Sequence, residues 1–278
     1  MGNELSVLGQ VKSFLSMENV KKRFSDVLGE KAPQFMTSIT NAIGNSNQLQ
    51  KCDANSIMSS ALVAATYDLP IDSNLGFAAL VPYWDSKSKS YKAQFQMMYK
   101  GFVQLAIRSG VYENMNVSEV YEDELISYNP ITGELQFISD FSECTQRRDG
   151  KKDKVIGYYA WFRLLTGFKK ELFMTTEECR NHATQYSASY KKDLEKNWTS
   201  SKWSTDFEAM AKKTVLKLLL SRWGVLSVEM QRAIQDDQKV YGDDGNESYA
   251  DNPAENKPET LDPFAVTEES EVTDDINS

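Results

Sequence analysis

The stretch from residue 69 to residue 110 limits most strongly what this chain can fold into. Pro70 has no N–H and disfavours the helical conformation at the residue before it, so no helix runs through this point. The nearly continuous apolar run 77–84 predicts a strand that is covered on both faces. The polar loop 85–90 has hairpin length, and a second strand, 91–99, alternates apolar with polar side chains.

A short helix follows this hairpin, and its polar side is basic. Gly101 ends the strand, and Gly110 stands where glycine commonly ends a helix. The polar positions of the strand and the helix are Lys92, Gln94, Gln96, Lys100, Gln104 and Arg108. A polar strand face that runs into a basic helix stripe is a candidate surface for an anionic polymer. The same spacing also fits the solvent face of an ordinary α+β sheet.

A second hairpin is predicted between residues 155 and 174, with a Thr-Gly turn at 166–167. Its first strand places Tyr159, Trp161 and Arg163 on one face, where they could stack on bases and pair with phosphates. In the alternative interpretation the two aromatic residues belong to the core and the arginine lies at its edge. Two short hairpins favour antiparallel pairing. We therefore predict an α+β fold, in which a small antiparallel sheet is packed by helices.

The predicted organisation has three parts, which are an N-terminal helical arm (1–29), a core domain (30–241) and a disordered acidic tail (242–278). The tail has few apolar residues, several acidic residues and three prolines. Near the end of the core, Thr205 and Glu208 match a capping box and predict a helix that runs to about Trp223.

The net charge of −9 is unevenly distributed along the chain. Residues 236–278 contain 14 of the 40 acidic residues and two of the 31 basic ones, which leaves 26 acidic and 29 basic residues elsewhere. Residues 147–222 contain 17 basic and nine acidic residues. The acidic composition thus conceals a basic, aromatic-rich segment, which is the combination that holds single-stranded nucleic acid.

Two stretches resemble the RecT family of phage and prophage single-strand annealing recombinases. They are NSNQLQKCDANSIMSSALVAATYDLPIDSNLGFAALVPY and AQFQMMYKGFVQLAIRSG, and a looser likeness covers residues 30–225. The resemblance implies a protein that binds single-stranded DNA, anneals complementary strands without ATP or another cofactor, and assembles into rings or helical filaments. The partners it implies are single-stranded DNA, the annealed duplex intermediate, further copies of the chain, a phage 5′–3′ exonuclease and a host single-strand-binding protein.

The candidate nucleic-acid site combines the residues of both hairpins with cations further along the chain. Arg147 and Arg148 lie in a basic loop, and Lys213 and Lys217 share one face of an otherwise apolar helix. The predicted site consists of Lys92, Gln94, Gln96, Tyr99, Lys100, Arg108, Arg147, Arg148, Tyr159, Trp161, Arg163, Lys213 and Lys217. We expect contacts to phosphates and base faces, because an annealing protein must leave the base edges open for pairing.

Three alternatives remain open from the residues alone. A passive protein that protects single strands would use the same side chains but would slow strand pairing. A metal-dependent nuclease would need clustered carboxylates and a lysine, and Asp72, Asp85 and Lys87 match that pattern approximately. The polar loop 85–90, which carries two of these three residues, is more typical of an exposed hairpin turn. An inert structural oligomer would bind no DNA at all.

Other chemistry is disfavoured. No P-loop sequence occurs, so an ATP-driven strand-exchange enzyme is not predicted. The single histidine, His182, lies three residues after Cys179, but Cys52 and Cys144 stand alone in distant segments, so we predict no metal site. Three scattered cysteines indicate a reducing compartment. With no predicted secretory signal and no membrane-length apolar run, a cytoplasmic location without a membrane partner is expected.

Overall fold

The computed structural model describes residues 6–72, 74–85, 88–138, 154–237, 239–241 and 247–249. The helices are α1 (Val7–Ser16), α2 (Glu18–Leu28), α3 (Ala32–Gly44), α4 (Ala54–Thr66), α5 (Tyr99–Ser109), α6 (Thr176–Tyr186), α7 (Ala188–Lys196), α8 (Lys202–Thr205), α9 (Phe207–Trp223) and α10 (Val228–Asp236). The strands are β1 (Ala78–Asp85), β2 (Ser90–Met97), β3 (Tyr112–Tyr121), β4 (Leu125–Asn129), β5 (Glu134–Phe137), β6 (Val155–Leu164), β7 (Lys169–Thr175), β8 (Lys239–Tyr241) and β9 (Glu247–Tyr249).

The first four helices pack on one another. Ser6 and Asp53 cap α1 and α4, because their side chains accept hydrogen bonds from the backbone N–H groups of Gly9 (3.2 Å) and Ser56 (2.8 Å). The largest side chains of this group are almost completely buried, among them Val11, Phe24, Ile39 and Ile57. Since α1 contacts both α3 and α4, the N-terminal helices share a core with the following segments.

Helix α4 is joined to β2 by side-chain hydrogen bonds. The hydroxyl of Ser60 donates to the carbonyl oxygen of Ala93 (3.0 Å), and the N–H of Ala93 donates to the hydroxyl of Ser56 (2.9 Å). Strand β2 pairs with β1 in antiparallel register, with Met97 opposite Ala78. The apolar side of β2, which carries Phe95 and Met97, is buried. The hairpin predicted from the sequence is thus packed on a helix along its apolar side.

Helix α5 begins directly after this hairpin and is pressed against it. A Cβ atom added at Gly101 would lie 2.3 Å from the carbonyl oxygen of Phe77, so only glycine fits at this point. That oxygen also accepts a hydrogen bond from the N–H of Met98 (3.0 Å). At the other end, Gly110 has a φ of 70° and ends the helix in the left-handed conformation, as predicted.

The second sheet has the antiparallel strand order β3-β6-β7. In β6 the buried face carries Tyr158, Ala160, Phe162 and Leu164, none of which is more than 8% exposed. Helix α9 covers this face. Strands β4 and β5 form a separate hairpin, and the ring of Tyr128 on β4 contacts the ring of Phe173 on β7 at 5.4 Å.

These elements confirm the predicted α+β class, with small antiparallel sheets packed by helices. Two predicted boundaries are wrong. Strand β2 ends at Met97 and α5 begins at Tyr99, so Gly101 lies within the helix and does not end the strand. Helix α9 is capped by Asp206, whose carboxylate accepts a hydrogen bond from the N–H of Ala209 (3.4 Å), and Thr205 instead ends the short α8. The hydroxyl of Thr205 donates to the carbonyl oxygen of Ser201 (3.1 Å), within the short helix that it ends.

The predicted acidic tail lies outside the described residues except for β9, which pairs with β8 in antiparallel register. This pairing crosses the predicted boundary between core and tail at residue 242. Strand β8 lies beside β2. The division into an arm (1–29), a core and a tail stays a prediction.

Candidate nucleic-acid interface

Three of the predicted site residues lie on the outer face of β6. Tyr159 and Trp161 are half-buried and Arg163 is exposed, whereas their neighbours along the strand face the core. The guanidinium of Arg163 pairs with Glu113 at 2.7 Å, and the ammonium of Lys169 lies 5.9 Å from the centre of the Trp161 ring. Neither aromatic ring belongs to the main core, so the strand presents rings and cations together on its outer side.

Tyr159 is held firmly on this face. Its ring meets that of Phe137 edge-on at 4.9 Å, and its hydroxyl donates a hydrogen bond to Glu171 at 2.8 Å. Burial raises the pKa of Tyr159, and the hydrogen bond to Glu171 raises it further, so the hydroxyl stays protonated. The ring is therefore fixed by its edge and its hydroxyl before any ligand binds.

The polar face of β2 is buried, although the alternation of polar side chains along the strand predicts an exposed face. The exposed fractions of Lys92, Gln94 and Gln96 are 6%, 2% and 5%. The ammonium of Lys92 lies 3.6 Å from the carboxylate of Asp85, while neither glutamine side-chain oxygen has a hydrogen-bond partner within the part of the chain that the structure describes. A DNA-contacting role for these residues stays a prediction, and it requires this face to become accessible.

The basic stripe of α5 divides into two environments. Lys100 is exposed, and its side chain passes over Gly76, while Tyr99 is half-buried beside it. Arg108 donates hydrogen bonds to the carbonyl oxygens of Tyr67 (2.7 Å) and Asp68 (2.9 Å). Arg108 therefore stabilises the end of α4, a role that its position in the sequence does not reveal.

Lys213 and Lys217 share one face of α9, as predicted, but both meet a carboxylate there. The ammonium groups lie 2.9 Å and 2.8 Å from the two oxygens of Asp237. Lys213 is 3% exposed. Burial opposes ionisation of Asp237, but the two lysines outweigh it and hold the pKa of Asp237 below its usual range. This carboxylate is therefore charged at neutral pH.

A cleft of about 590 Å³ opens between β7, α6 and α9, next to this ion-pair group. Its lining combines cations with aromatic rings and includes His182, Tyr186, Trp203, Lys213, Lys217 and Arg222. Burial lowers the pKa of His182, and the charges of Arg222 and Lys217 lower it further, so the imidazole is neutral at neutral pH. Its Nδ1 atom has no hydrogen-bond partner among the described residues.

Tyr186, Trp203 and Arg222 are not among the site residues predicted from the sequence. Their signal was the basic and aromatic character of the whole segment 147–222, which gives no means of choosing individual members. Arg147 and Arg148 lie outside the described residues. Their proposed contact with phosphates stays a prediction.

The residues of the nuclease alternative have other local contacts. One carboxylate oxygen of Asp72 accepts a hydrogen bond from the N–H of Asn74 (2.9 Å), Asp85 pairs with Lys92, and Lys87 lies outside the described residues. Within the described ranges, no three histidine, cysteine, aspartate or glutamate side chains are grouped so that they could hold a metal ion. Cys52 and Cys179 are both buried thiols. No helix in these ranges has the length and hydropathy needed to cross a membrane.

An α+β protein that presents aromatic rings beside lysine and arginine has the surface chemistry of the proteins that hold nucleic acid by its phosphates and base faces. The chain belongs to the RecT family, whose family model matches residues 33–254. It is similar to the uncharacterized protein YqaK of Bacillus subtilis (strain 168), with 43% identity over 92% of this chain and 84% of the relative. It is also similar to Protein RecT of Escherichia coli (strain K12), with 28% identity over 82% of this chain and 80% of the relative.

Membership of this family identifies the chain as a single-strand annealing protein of DNA recombination. Proteins of the family bind single-stranded DNA and form oligomers, and they are not catalysts in the usual sense.

Proposed function

We propose that this protein anneals complementary DNA strands without ATP in phage-type homologous recombination. The observation that carries the proposal is the outer face of β6, where Tyr159, Trp161 and Arg163 stand side by side while the opposite face forms the core. Stacking on rings and pairing of phosphates with cations hold single strands without regard to sequence. Base edges then remain open for a complementary strand.

Exposed cations also lie outside β6. Lys100 reaches solvent at the start of α5, and Arg222 lines the cleft beside α9. We further propose that the predicted phosphate contacts, Lys100, Arg108, Arg163, Lys213 and Lys217, act together with Tyr159 and Trp161 along one bound strand. Weak contacts repeated in many subunits along a polymer produce tight and cooperative binding.

An annealing assay tests the function directly. Two complementary oligonucleotides should pair faster with the protein than without it, and the rate should be the same with and without ATP. The rate is compared with and without ATP because the sequence contains no P-loop. If the protein slows pairing at every ratio of protein to DNA, the passive protecting protein becomes the better description. If no DNA binding occurs at all, both functions fail.

The proposed partners are further copies of the chain, a phage 5′–3′ exonuclease and a host single-strand-binding protein. Residues 261–264 (LDPF) form an apolar island in the acidic tail, a pattern suited to docking a partner, and they lie outside the described residues. Deleting residues 242–278 should then abolish binding of the exonuclease or the single-strand-binding protein without abolishing DNA binding.

Replacing Lys100 with alanine should reduce the dependence of DNA affinity on salt. One lost phosphate contact on single-stranded DNA lowers the slope of log affinity against log salt concentration by roughly 0.7. Lys22→Ala is the matched control, because Lys22 is also exposed on a helix but lies in the N-terminal segment. An unchanged slope in folded Lys100→Ala protein would remove Lys100 from the site.

Replacing Trp161 with leucine should weaken the binding of single-stranded DNA. Stacking of one base on an aromatic ring contributes about 1–3 kcal/mol, which corresponds to a loss of affinity of roughly 5- to 150-fold. Trp198→Leu is the control, since Trp198 is 54% exposed but follows α7. Fluorescence anisotropy of a labelled oligonucleotide measures both variants. A folded Trp161→Leu protein that binds with wild-type affinity would remove Trp161 from the site.

A further inference from the structure

Three hydrogen-bond donors converge on the buried carboxylate of Asp237. The ammonium of Lys213 lies 2.9 Å from one oxygen, the ammonium of Lys217 lies 2.8 Å from the other, and the backbone N–H of Met97 donates to the first at 3.0 Å. Two lysines and a backbone amide are a donor set that also binds a phosphate group. The carboxylate thus occupies an anion-binding site that belongs to α9 and the end of β2.

Asp237 reaches this site from the C-terminal part of the chain. It follows α10. The preceding residue, Asp236, accepts a hydrogen bond from the hydroxyl of Tyr67 and forms an ion pair with Lys239 (3.2 Å). Beyond it, β8 lies beside β2. We call Asp236, Asp237 and β8 the strap.

The strap lies beside the end of β2 that carries Met97. Strands β8 and β9 contain only three residues each, and a two-stranded hairpin of this kind is at most marginally stable on its own. The strap is therefore easier to displace than the helices and strands that it contacts.

We propose that the strap is an autoinhibitory element, and that a DNA phosphate replaces Asp237 at Lys213, Lys217 and the N–H of Met97. This inference rests on the proposed function. Displacement frees both ammonium groups for the strand. DNA binding and strap binding are then competitive, because one anion site holds either the carboxylate or a phosphate.

Asp237→Asn tests the competition. The variant should bind an oligothymidine strand more tightly than wild type at low salt. The slope of log affinity against log salt should stay the same, because the bound strand contacts the same phosphates in both proteins. Glu229→Gln provides the same change of charge at an exposed position on α10, and it should leave the affinity close to that of wild type. Asp193→Asn controls for lost stability, because Asp193 is 2% exposed and is held by serines away from the strap. An Asp237→Asn protein that is folded but binds no more tightly than wild type would overturn the proposal.

Hydrogen–deuterium exchange of the wild-type protein gives a second measurement that does not depend on the folding of any variant. Saturating oligothymidine should speed exchange in peptides that cover Lys239–Tyr241 and Glu247–Tyr249. Unchanged exchange in these peptides, in protein that does bind the strand, overturns the strap and leaves the annealing function standing. Failure of wild-type protein to bind the strand overturns both.

Discussion

Replacing Gly101 with alanine is expected to destabilise the fold strongly. The added Cβ would lie 2.3 Å from the carbonyl oxygen of Phe77 and 2.8 Å from the Cγ atom of Met97. The oxygen is held by the N–H of Met98, so it cannot move without breaking the junction between β1 and α5. Forcing an atom into such a contact costs about 3 kcal/mol or more, which exceeds the gain of about 1 kcal/mol from the better helix propensity of alanine.

Gly44→Ala is the matched control for this prediction. Gly44 is the last residue of α3, and a Cβ added there meets nothing within 4 Å. The substitution should leave stability unchanged or raise it by up to about 1 kcal/mol. Denaturant unfolding of both variants measures the difference. A Gly101→Ala protein with the unfolding midpoint of Gly44→Ala would show that the contact with β1 is not rigid.

Replacing Lys213 with methionine is also expected to cause a large loss of stability. Lys213 is 3% exposed and Asp237 is fully buried, so the substitution removes one buried partner of a buried carboxylate. Breaking a buried ion pair completely costs about 3–5 kcal/mol, and Lys213→Met should cost somewhat less because Lys217 still meets the carboxylate. Lys217→Met should cost less again, because the side chain of Lys217 is 28% exposed.

A double variant tests whether the loss of stability comes from the broken ion pair. Lys213→Met combined with Asp237→Leu replaces the whole pair by apolar side chains, and such replacements are often neutral or stabilising. The double variant should therefore recover much of the stability lost by Lys213→Met. Thermal unfolding measures the stability of the wild-type protein, Lys213→Met, Lys217→Met and the double variant. No recovery would show that Lys213 stabilises the fold through contacts other than its pair with Asp237.

Local patterns in the sequence predicted the secondary structure well where short-range chemistry decides it. Gly110 ends α5 in the left-handed conformation, and the hairpin predicted between residues 155 and 174 forms from β6 and β7. The alternation in β6 correctly separated Tyr159, Trp161 and Arg163 from the buried face. The predicted cap at Thr205 failed because Asp206, one residue later, can make the same kind of hydrogen bond.

The environment of the predicted cations could not be derived in the same way. Lys213 meets a carboxylate 24 residues away, and Arg108 meets carbonyl oxygens 40 and 41 residues away. Spacing along a helix shows which residues share a face, but it does not show what lies opposite that face. The cleft beside α9 is a similar case, because its lining comes from several segments that are distant in the chain.

Local patterns were enough to predict the α+β class, the two hairpins and the joint presence of rings and cations, because alternation, turns and helix ends depend on neighbouring residues. Which polar residues reach solvent depends instead on the packing of distant segments. Lys92, Gln94 and Gln96 alternate as a surface strand would, yet they are buried in the folded chain, with β8 beside their strand. Burial depends on what packs against a face, and that packing brings together residues that are far apart in the chain.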